Sequence, residues 1–316
     1  ISCPCALVIS IPLGFFGGIG AASKKGILIK GGNYLEALND VGTLVFDKTG
    51  TITKGVFKVT DIKAYEDYSK EEILELAAYG ENYSNHPIAL SIQQEYEKEI
   101  HKEYIKNYKD IPGKGISVEI NDANIFLGNK GLLEDNEISV VEEDSIGTVV
   151  YIADEDRHIG TIIVSDELKE NVVSDMKLLK TLGIKETIML SGDNSLTAKK
   201  VGDIVGIDHV YGDLLPQEKV HQFEEILKNN HGNRKVAFVG DGVNDAPVLA
   251  RADVGIAMGG LGSDAAIEAS DIVILTDEIS KISTGIKIAK KTKRIVTENI
   301  DFRSNSVISP FMISIF

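Results

Sequence analysis

Asp47 closes an apolar run and opens a polar, glycine-containing one, "GTLVFDKTGT" (42–51). A carboxylate so placed can act as a covalent nucleophile toward phosphorus and form an aspartyl phosphate. That chemistry needs cationic help for the crowded phosphoryl oxygens, from a metal ion and a lysine. Two further carboxylates, Asp241 and Asp245, stand in "KVAFVGDGVNDA" (235–246). With Asp47 they could supply hard oxygen ligands for Mg2+, and Asn244 of the same loop joins them as a catalytic candidate. Lys219, in "LLPQEKV", could neutralise the transferred group. Ser191, Gly192 and Asp193, in "TIMLSGDN" (187–194), offer a hydroxyl and backbone donors. A different chemistry is open to Cys3 and Cys5, the only two cysteines, which flank Pro4. One residue apart, they cannot easily adopt relaxed disulfide geometry. They are either small buried hydrophobes or a pair of soft metal ligands.

The elements that must position these residues follow from the pattern around them. Each aspartate segment is a short apolar run leading into a polar loop, and helical patterns such as "NVVSDMKLLKTLGI" and "SLTAKKVGDIVGI" lie between them. Short buried strands alternating with helices imply an α/β fold, a doubly wound parallel sheet with its active residues just past the strand carboxyl ends. Asp47, Asp193 and Asp241 fall at such ends. Residues 56–162 differ in character: "VFKVTDIKAY", an acidic helical stretch "SKEEILELAAYGENYSNHPIALSIQQEYEKEI", then short strands such as "ISVEI" and "TVVYIAD". Segregated strands and helices read as an inserted α+β domain. The expected division is 1–30, 31–55, 56–162, 163–285 and 286–316.

A length of 316 residues suggests about two domains. The net charge of −15, with no basic block to offset it, argues against nucleic-acid binding. Two cysteines argue against a secreted disulfide scaffold. Residues 1–23 carry no charge, and the chain is apolar again from 304 to 316. About 20 apolar residues suffice to span a bilayer. Lys24, Lys25 and Lys30 follow the first run, and Lys287, Lys290, Lys291, Lys293 and Arg294 precede the last. Positive charge at both inner flanks places the intervening bulk on the cytoplasmic side. The expectation is a piece of an integral membrane protein, with transmembrane helix segments at both ends. Two motifs are set aside: "NYS" as a glycosylation acceptor on a cytoplasmic segment, and "GGIGAASKKG", which lacks the strand and spacing of a dinucleotide fingerprint.

"DKTGT", "NHP" and "GDGVNDAPVLARADVGIAMG", in that order, resemble the P-type ATPases over the whole chain. The resemblance implies a phosphorylation domain of the haloacid-dehalogenase fold interrupted by a nucleotide-binding domain. It implies Asp47 as the phosphoryl acceptor, with Mg2+ held by the Asp47 carboxylate, the Thr49 carbonyl and Asp241. Lys219 and the 191–193 turn would hold phosphate and nucleotide; the family more often has Thr where this chain has Ser191, and the hydroxyl is kept. "SNHPIA" is similar to the His-Pro element of the heavy-metal pumps, which implies ATP contacts for His86, for Glu81, and for Gly113 and Gly115 of "PGKG". Missing side chains at those glycines permit close approach of a nucleotide.

In that subfamily a Cys-Pro-Cys interrupts a membrane helix and helps form the transport site, which implies Cys3 and Cys5 as ligands of the transported soft ion. Proline frees a backbone carbonyl and kinks a helix, which is tolerated at membrane depth only where it lines a site. "CPCALVISIPLGFF" is more similar to the zinc, cadmium and lead pumps than to the copper pumps, and no Tyr-Asn pair follows Asn299. The zinc-type intramembrane lysine is absent from "ENIDFRSNSVISPF" as well, where Asp301 and Arg303 stand instead. The expected function is ATP-driven export of Zn2+, Cd2+ or Pb2+ across a membrane, the plasma membrane being expected. A Cu+ or Ag+ pump, a soluble phosphatase of the same catalytic fold, and a non-pumping chain that only binds nucleotide or metal are the alternatives. The expected partners are ATP, the transported ion, the membrane, and the actuator domain and remaining helices of the same pump.

Overall fold

The structure, a computed structural model, describes residues 5–65, 67–141, 145–230, 234–241, 245–259 and 264–313, with side chains described between 9 and 300. Cys3 and Asn244 lie outside the described residues, and so does the side chain of Cys5. The chain divides into two compact units, residues 1–54 with 168–316, and residues 55–167.

The first unit opens with α1 (Cys5–Ser23), β1 (Ile27–Ile29), α2 (Gly32–Asn39) and β2 (Val41–Asp47). The second follows with β3 (Thr53–Ala64), α3 (Lys70–Gly80), α4 (Pro87–Tyr96), β4 (Ile105–Ile111), β5 (Gly115–Ile120), β6 (Ala123–Gly128), α5 (Lys130–Asp135), β7 (Thr148–Asp154) and β8 (Arg157–Leu168). The chain returns to the first unit with α6 (Val172–Thr181), β9 (Glu186–Leu190), α7 (Ser195–Val205), β10 (His209–Tyr211), α8 (Pro216–Asn229) and β11 (Lys235–Gly240). It ends with α9 (Ala246–Leu249), β12 (Val254–Met258), α10 (Asp264–Ala269), β13 (Ile272–Ile274) and α11 (Ser280–Ile313).

In the first unit seven strands lie in the order β1-β13-β12-β11-β2-β9-β10. Each neighbouring pair is parallel except the edge strand β1, which runs antiparallel to β13. All seven residues of β2 are buried, as a central strand covered on both faces requires. Side chains alternate between the faces, and the cores record it. Leu44, Phe46, Met189, Ala237 and Val239 join one cluster with residues of α2, α6, α7 and α11. Val45, Ile188, Leu190, Val236 and Phe238 join the opposite cluster with Phe223 of α8 and Val248 and Leu249 of α9. The strand order grows from β2 to one side through β9 and β10, then to the other through β11, β12 and β13. That reversal leaves a crevice at the carboxyl end of β2, where ligands of open α/β sheets bind.

The second unit is a six-stranded sheet ordered β3-β8-β7-β6-β5-β4, antiparallel from β4 to β8. Ile73, Ala77 and Ile92 of α3 and α4 pack with Val118, Leu127, Ile152 and Ile162 on one face. Leu132 and Leu133 of α5 cover Tyr151 and Ala153 on the other. The acidic helical stretch is two helices, broken at 81–86. The first begins on a reciprocal cap: Glu72 N–H donates to Ser69 Oγ (3.2 Å) and Ser69 N–H to the Glu72 carboxylate (2.8 Å). The unit reaches Glu167, past the boundary at 162 that composition suggested, because β8 continues unbroken to Leu168.

Among the described residues no helix is long and apolar enough to cross a membrane. The spanning segments expected at the two ends rest partly on residues 1–4 and 314–316, outside the description. α1 has 19 residues, about 28 Å at the usual rise, with its side chains described only from Ile9. α11 carries Lys287, Lys290, Lys291, Lys293 and Arg294, whose charges a hydrocarbon layer would exclude.

Candidate functional site

Three adjacent parallel strands end on the same edge of the sheet. β2 ends on Asp47, β9 ends one residue before Ser191, and β11 ends one residue before Asp241. Oxygens of Asp47, Asp241 and Asp245 all lie within 4.8 Å of one another. Asp47 is 5% exposed and Asp245 is buried beside it. Lys219 forms an ion pair with Asp47 and stands 3.5 Å from Asp245. It comes from the first turn of α8, which starts at Pro216, a residue suited to the first helical position. Glu218 fastens that start by accepting the Leu215 N–H at 2.8 Å.

Burial pushes the Asp47 carboxyl up to about 6; the Asp245 charge adds to this, and Lys219 works against it. Burial also raises Asp241 to about 6, with the Asp47 charge adding and the Lys169 charge opposing. Burial would lower Lys219, but the charges of Asp47 and Asp245 outweigh it and hold the amine above its ordinary value. One ammonium between crowded carboxylates leaves the cluster short of positive charge. Clustered hard oxygens with a surplus of negative charge fit Mg2+.

The turn Lys48–Ile52 leads away from Asp47 with Thr49 extended and Gly50 at φ 73. A Cβ on Gly50 would sit 1.7 Å from the Asp241 carboxylate, so only glycine lets the turn lie against that aspartate. The Lys48 carbonyl accepts from the Thr53 hydroxyl at 3.0 Å. Gly50 and Ile52 give theirs to Lys169, whose Nζ reaches the Gly50 oxygen at 2.5 Å and whose N–H reaches the Ile52 oxygen at 3.1 Å.

At the 191–193 turn, two of the expected backbone donors are already used within the protein. Ser191 N–H donates to the Tyr211 carbonyl (2.9 Å), and Asp193 N–H to Ser191 Oγ (3.1 Å). The Asp193 carboxylate is paired with the buried Lys48. Asp213, at φ 57, donates its N–H to the Asp193 carbonyl at 2.6 Å and accepts the Ser195 N–H at 3.0 Å, tying the turn to the start of α7.

In the second unit Glu81 and His86 both lie on the short connection between α3 and α4. Burial pushes the Glu81 carboxyl up to about 7; a hydrogen bond from Ser84 opposes this, and the Asp110 charge adds to it. His86 caps α4, its Nδ1 accepting the Ile88 N–H at 3.3 Å. The neutral ring therefore carries its proton on Nε2, as a donor. Gln93 holds the connection by donating to the Glu81 carbonyl at 2.6 Å. Gly113 stands in the β4–β5 turn and Gly115 opens β5. Gly113, at φ 75, has open space where a Cβ would be, whereas a Cβ on Gly115 would meet the Leu127 carbonyl at 2.1 Å. Asn129 spans the turn, donating through Nδ2 to the Gly113 carbonyl at 2.9 Å while its N–H donates to that of Lys114 at 2.8 Å.

Sequence reasoning missed Lys48, Lys169, Asp213 and Asn129. Asn129, directly after the apolar β6 run, carried a signal as a helix cap before α5, and Lys48 stood inside "DKTGT".

A haloacid dehalogenase-like hydrolase family model matches residues 41–253. A cadmium, zinc and cobalt-transporting ATPase of Bacillus subtilis (strain 168) is 55% identical over 302 residues, which are 96% of this chain and 43% of the relative. The chain thus spans less than half the length of that curated relative. The crystal structure of a zinc-transporting PIB-type ATPase in its E2.Pi state aligns with a TM-score of 0.82 at 31% identity, over 98% of this chain and 52% of that one. The catalytic domain of a CPx-ATPase aligns with a TM-score of 0.60 at 31% identity, over 85% of this chain and 98% of that one.

Proposed function

Because this chain belongs to the haloacid dehalogenase-like hydrolases, and within them to the heavy-metal P-type ATPases, we propose that it is the ATP-hydrolysing part of a pump that exports Zn2+, Cd2+ or Pb2+. One observation carries the reading: a buried aspartate at the central strand end, ringed by two more carboxylates and one lysine. An Asp47 oxygen attacks the γ-phosphorus of ATP, the bond to the β,γ-bridging oxygen breaks, and ADP leaves. Water then cleaves the aspartyl phosphate to restore the carboxylate and release phosphate. Lys219 balances charge on the transferred group, and Asp245 holds that lysine in place. When bound, Mg2+ supplies Lewis-acid stabilisation of the phosphoryl oxygens; Asp47, the Thr49 carbonyl and Asp241 are the residues proposed to hold it. Asn244 and the Ser191 hydroxyl are proposed to orient phosphate. Glu81, His86, Gly113 and Gly115 are proposed to hold the nucleotide.

Cys3 and Cys5 are proposed as ligands of the exported ion, with further ligands from the rest of the pump, since Zn2+ usually takes four. The named substrates of the Bacillus relative support divalent ions. The pump is proposed to sit in the plasma membrane. With radiolabelled Mg-ATP, the complete pump should form an acid-stable, hydroxylamine-labile adduct when Zn2+ or Cd2+ is present. Label persisting in Asp47→Asn overturns the nucleophile. Label driven by Cu+ or Ag+ and not by divalent ions overturns the substrate, and ion stimulation that survives Cys3→Ser and Cys5→Ser overturns the cysteines as its ligands.

A further inference from the structure

Lys169 follows β8 by one residue, at the return of the chain into the first unit, and no part of the reaction sketched above uses it. Its side chain is 4% exposed, a costly place for an ammonium unless every proton is matched. The matches are specific. Nζ donates to the Gly50 carbonyl and to the Asp277 carboxylate, each at 2.5 Å, and the backbone N–H donates to the Ile52 carbonyl at 3.1 Å. Two of the three carbonyls held in the Lys48–Ile52 turn are thus held by one residue. The same turn presses on Asp241 so closely that Gly50 tolerates no Cβ. The positive charge of Lys169 also bears on Asp241, opposing the effect of Asp47 there. Asp277, three residues before α11, is 55% exposed on the wall of a polar cavity of about 460 Å3 that Lys54, Asp175 and Glu278 also line.

We propose that Lys169 is a positioning residue for the divalent-cation site: it clamps the phosphoacceptor turn from behind, sets Thr49 and Gly50 against Asp241, and anchors the turn through Asp277 to the segment entering α11. This rests on the reading of Asp47, Thr49 and Asp241 as the Mg2+ ligands. Residues that orient ligands from behind typically cost roughly 10–100-fold in metal affinity when removed. The two partners of Lys169 differ in weight. Water in the cavity can replace half-exposed Asp277, whereas nothing in the buried turn replaces Nζ at the Gly50 carbonyl.

The test is Mn2+ binding to the full chain without nucleotide, read by electron paramagnetic resonance, beside hydrogen exchange of the 48–53 amides. Lys169→Met should weaken Mn2+ about tenfold and speed exchange in the turn, while ADP affinity stays at the wild-type value. Lys169→Arg, which keeps charge and donors, should recover most of the loss, and Asp277→Asn should change Mn2+ affinity less than about twofold. Unaltered Mn2+ affinity and turn protection in Lys169→Met overturn the proposal, and so does Lys169→Arg as damaged as Lys169→Met. If Lys169→Met does not fold, Asp277→Lys carries the test from an exposed position: its charge should repel Nζ from the turn and weaken Mn2+ severalfold, and unchanged affinity overturns the clamp. The underlying ligand assignment fails separately, if Asp241→Asn binds Mn2+ as the wild type does.

Discussion

Asp47→Asn should make the metal-free protein more stable at pH 8, although it removes the proposed nucleophile. The ionised Asp47 is 5% exposed, next to Asp245, and burial is the main reason its carboxyl rises from 3.8 to about 6. A raised acid contributes its stability below the unfolded value of 3.8 and loses it as pH rises through about 6. At about 1.4 kcal/mol per pH unit, ionisation costs the native state about 3 kcal/mol at pH 8, and Asn, a stand-in for the neutral acid, escapes that cost. Because the Lys219 ion pair already offsets part of the burial, the figure is net of its loss. The gap should fall to roughly half at pH 5 and nearly vanish by pH 4, where the unfolded chain also begins to take up its proton. In a domain of this size each kcal/mol moves the melting midpoint by about 2–4 °C. Melting in EDTA, followed by circular dichroism and by protection of the β2 amides, should therefore place the variant several degrees above the wild type at pH 8. A variant that melts lower at pH 8, or a gap that does not shrink toward pH 4, refutes the reasoning. The first result would mean that Lys219 stabilises the ionised carboxylate by more than burial penalises it, and the second that the gap does not come from ionisation of Asp47.

Mg2+ should narrow the same gap, since a cation at about 100 times its dissociation constant stabilises a native state by about 2.7 kcal/mol. It should raise the melting midpoint of the wild type and leave that of Asp241→Asn unmoved. His86 separates capping from ligand binding: His86→Asn keeps a side chain able to cap α4 and His86→Ala does not, a difference of about 1 kcal/mol. Calorimetry should find ATP weakened equally in both, and wild-type affinity in His86→Asn would make the histidine a cap alone.

The aspartates proposed as catalytic were legible because their signal is local. A carboxylate just past a buried apolar run stands out by type and position, and Asp47 and Asp241 meet because their strands are neighbours in a doubly wound sheet. Lys219 was legible for a similar reason, three positions beyond a proline that starts a helix. Lys169 was not: a lysine after a strand looks like any solvated loop cation, and its partner Gly50 is 119 positions away. Lys48 stood inside the most telling motif of the chain, yet its pairing with Asp193 depends on β2 and β9 being adjacent. Gly115 was legible as a special position for an incomplete reason, since the Leu127 carbonyl excludes a side chain there whether or not a nucleotide approaches.

The metal-free site is balanced against itself. Burial raises Asp47 and Asp241 both to about 6, with the Asp245 charge adding to it at Asp47 and the Asp47 charge adding to it at Asp241, and among the described residues Lys219 is the amine that pairs with Asp47. A site designed only for stability would place one more cation there or one fewer acid. The missing charge has a place prepared for it: the turn against Asp241 admits no Cβ, its carbonyls at 48, 50 and 52 are held by Thr53 and Lys169, and the carbonyl at 49 belongs to the proposed cation. On the proposed assignment, the strain of like charges would be relieved when substrate arrives with its metal, so that loading the site and firming the core of the first unit would become one event. Without the metal, partial protonation near pH 6 would relieve the same repulsion, and it would silence Asp47 in its proposed role as nucleophile while doing so.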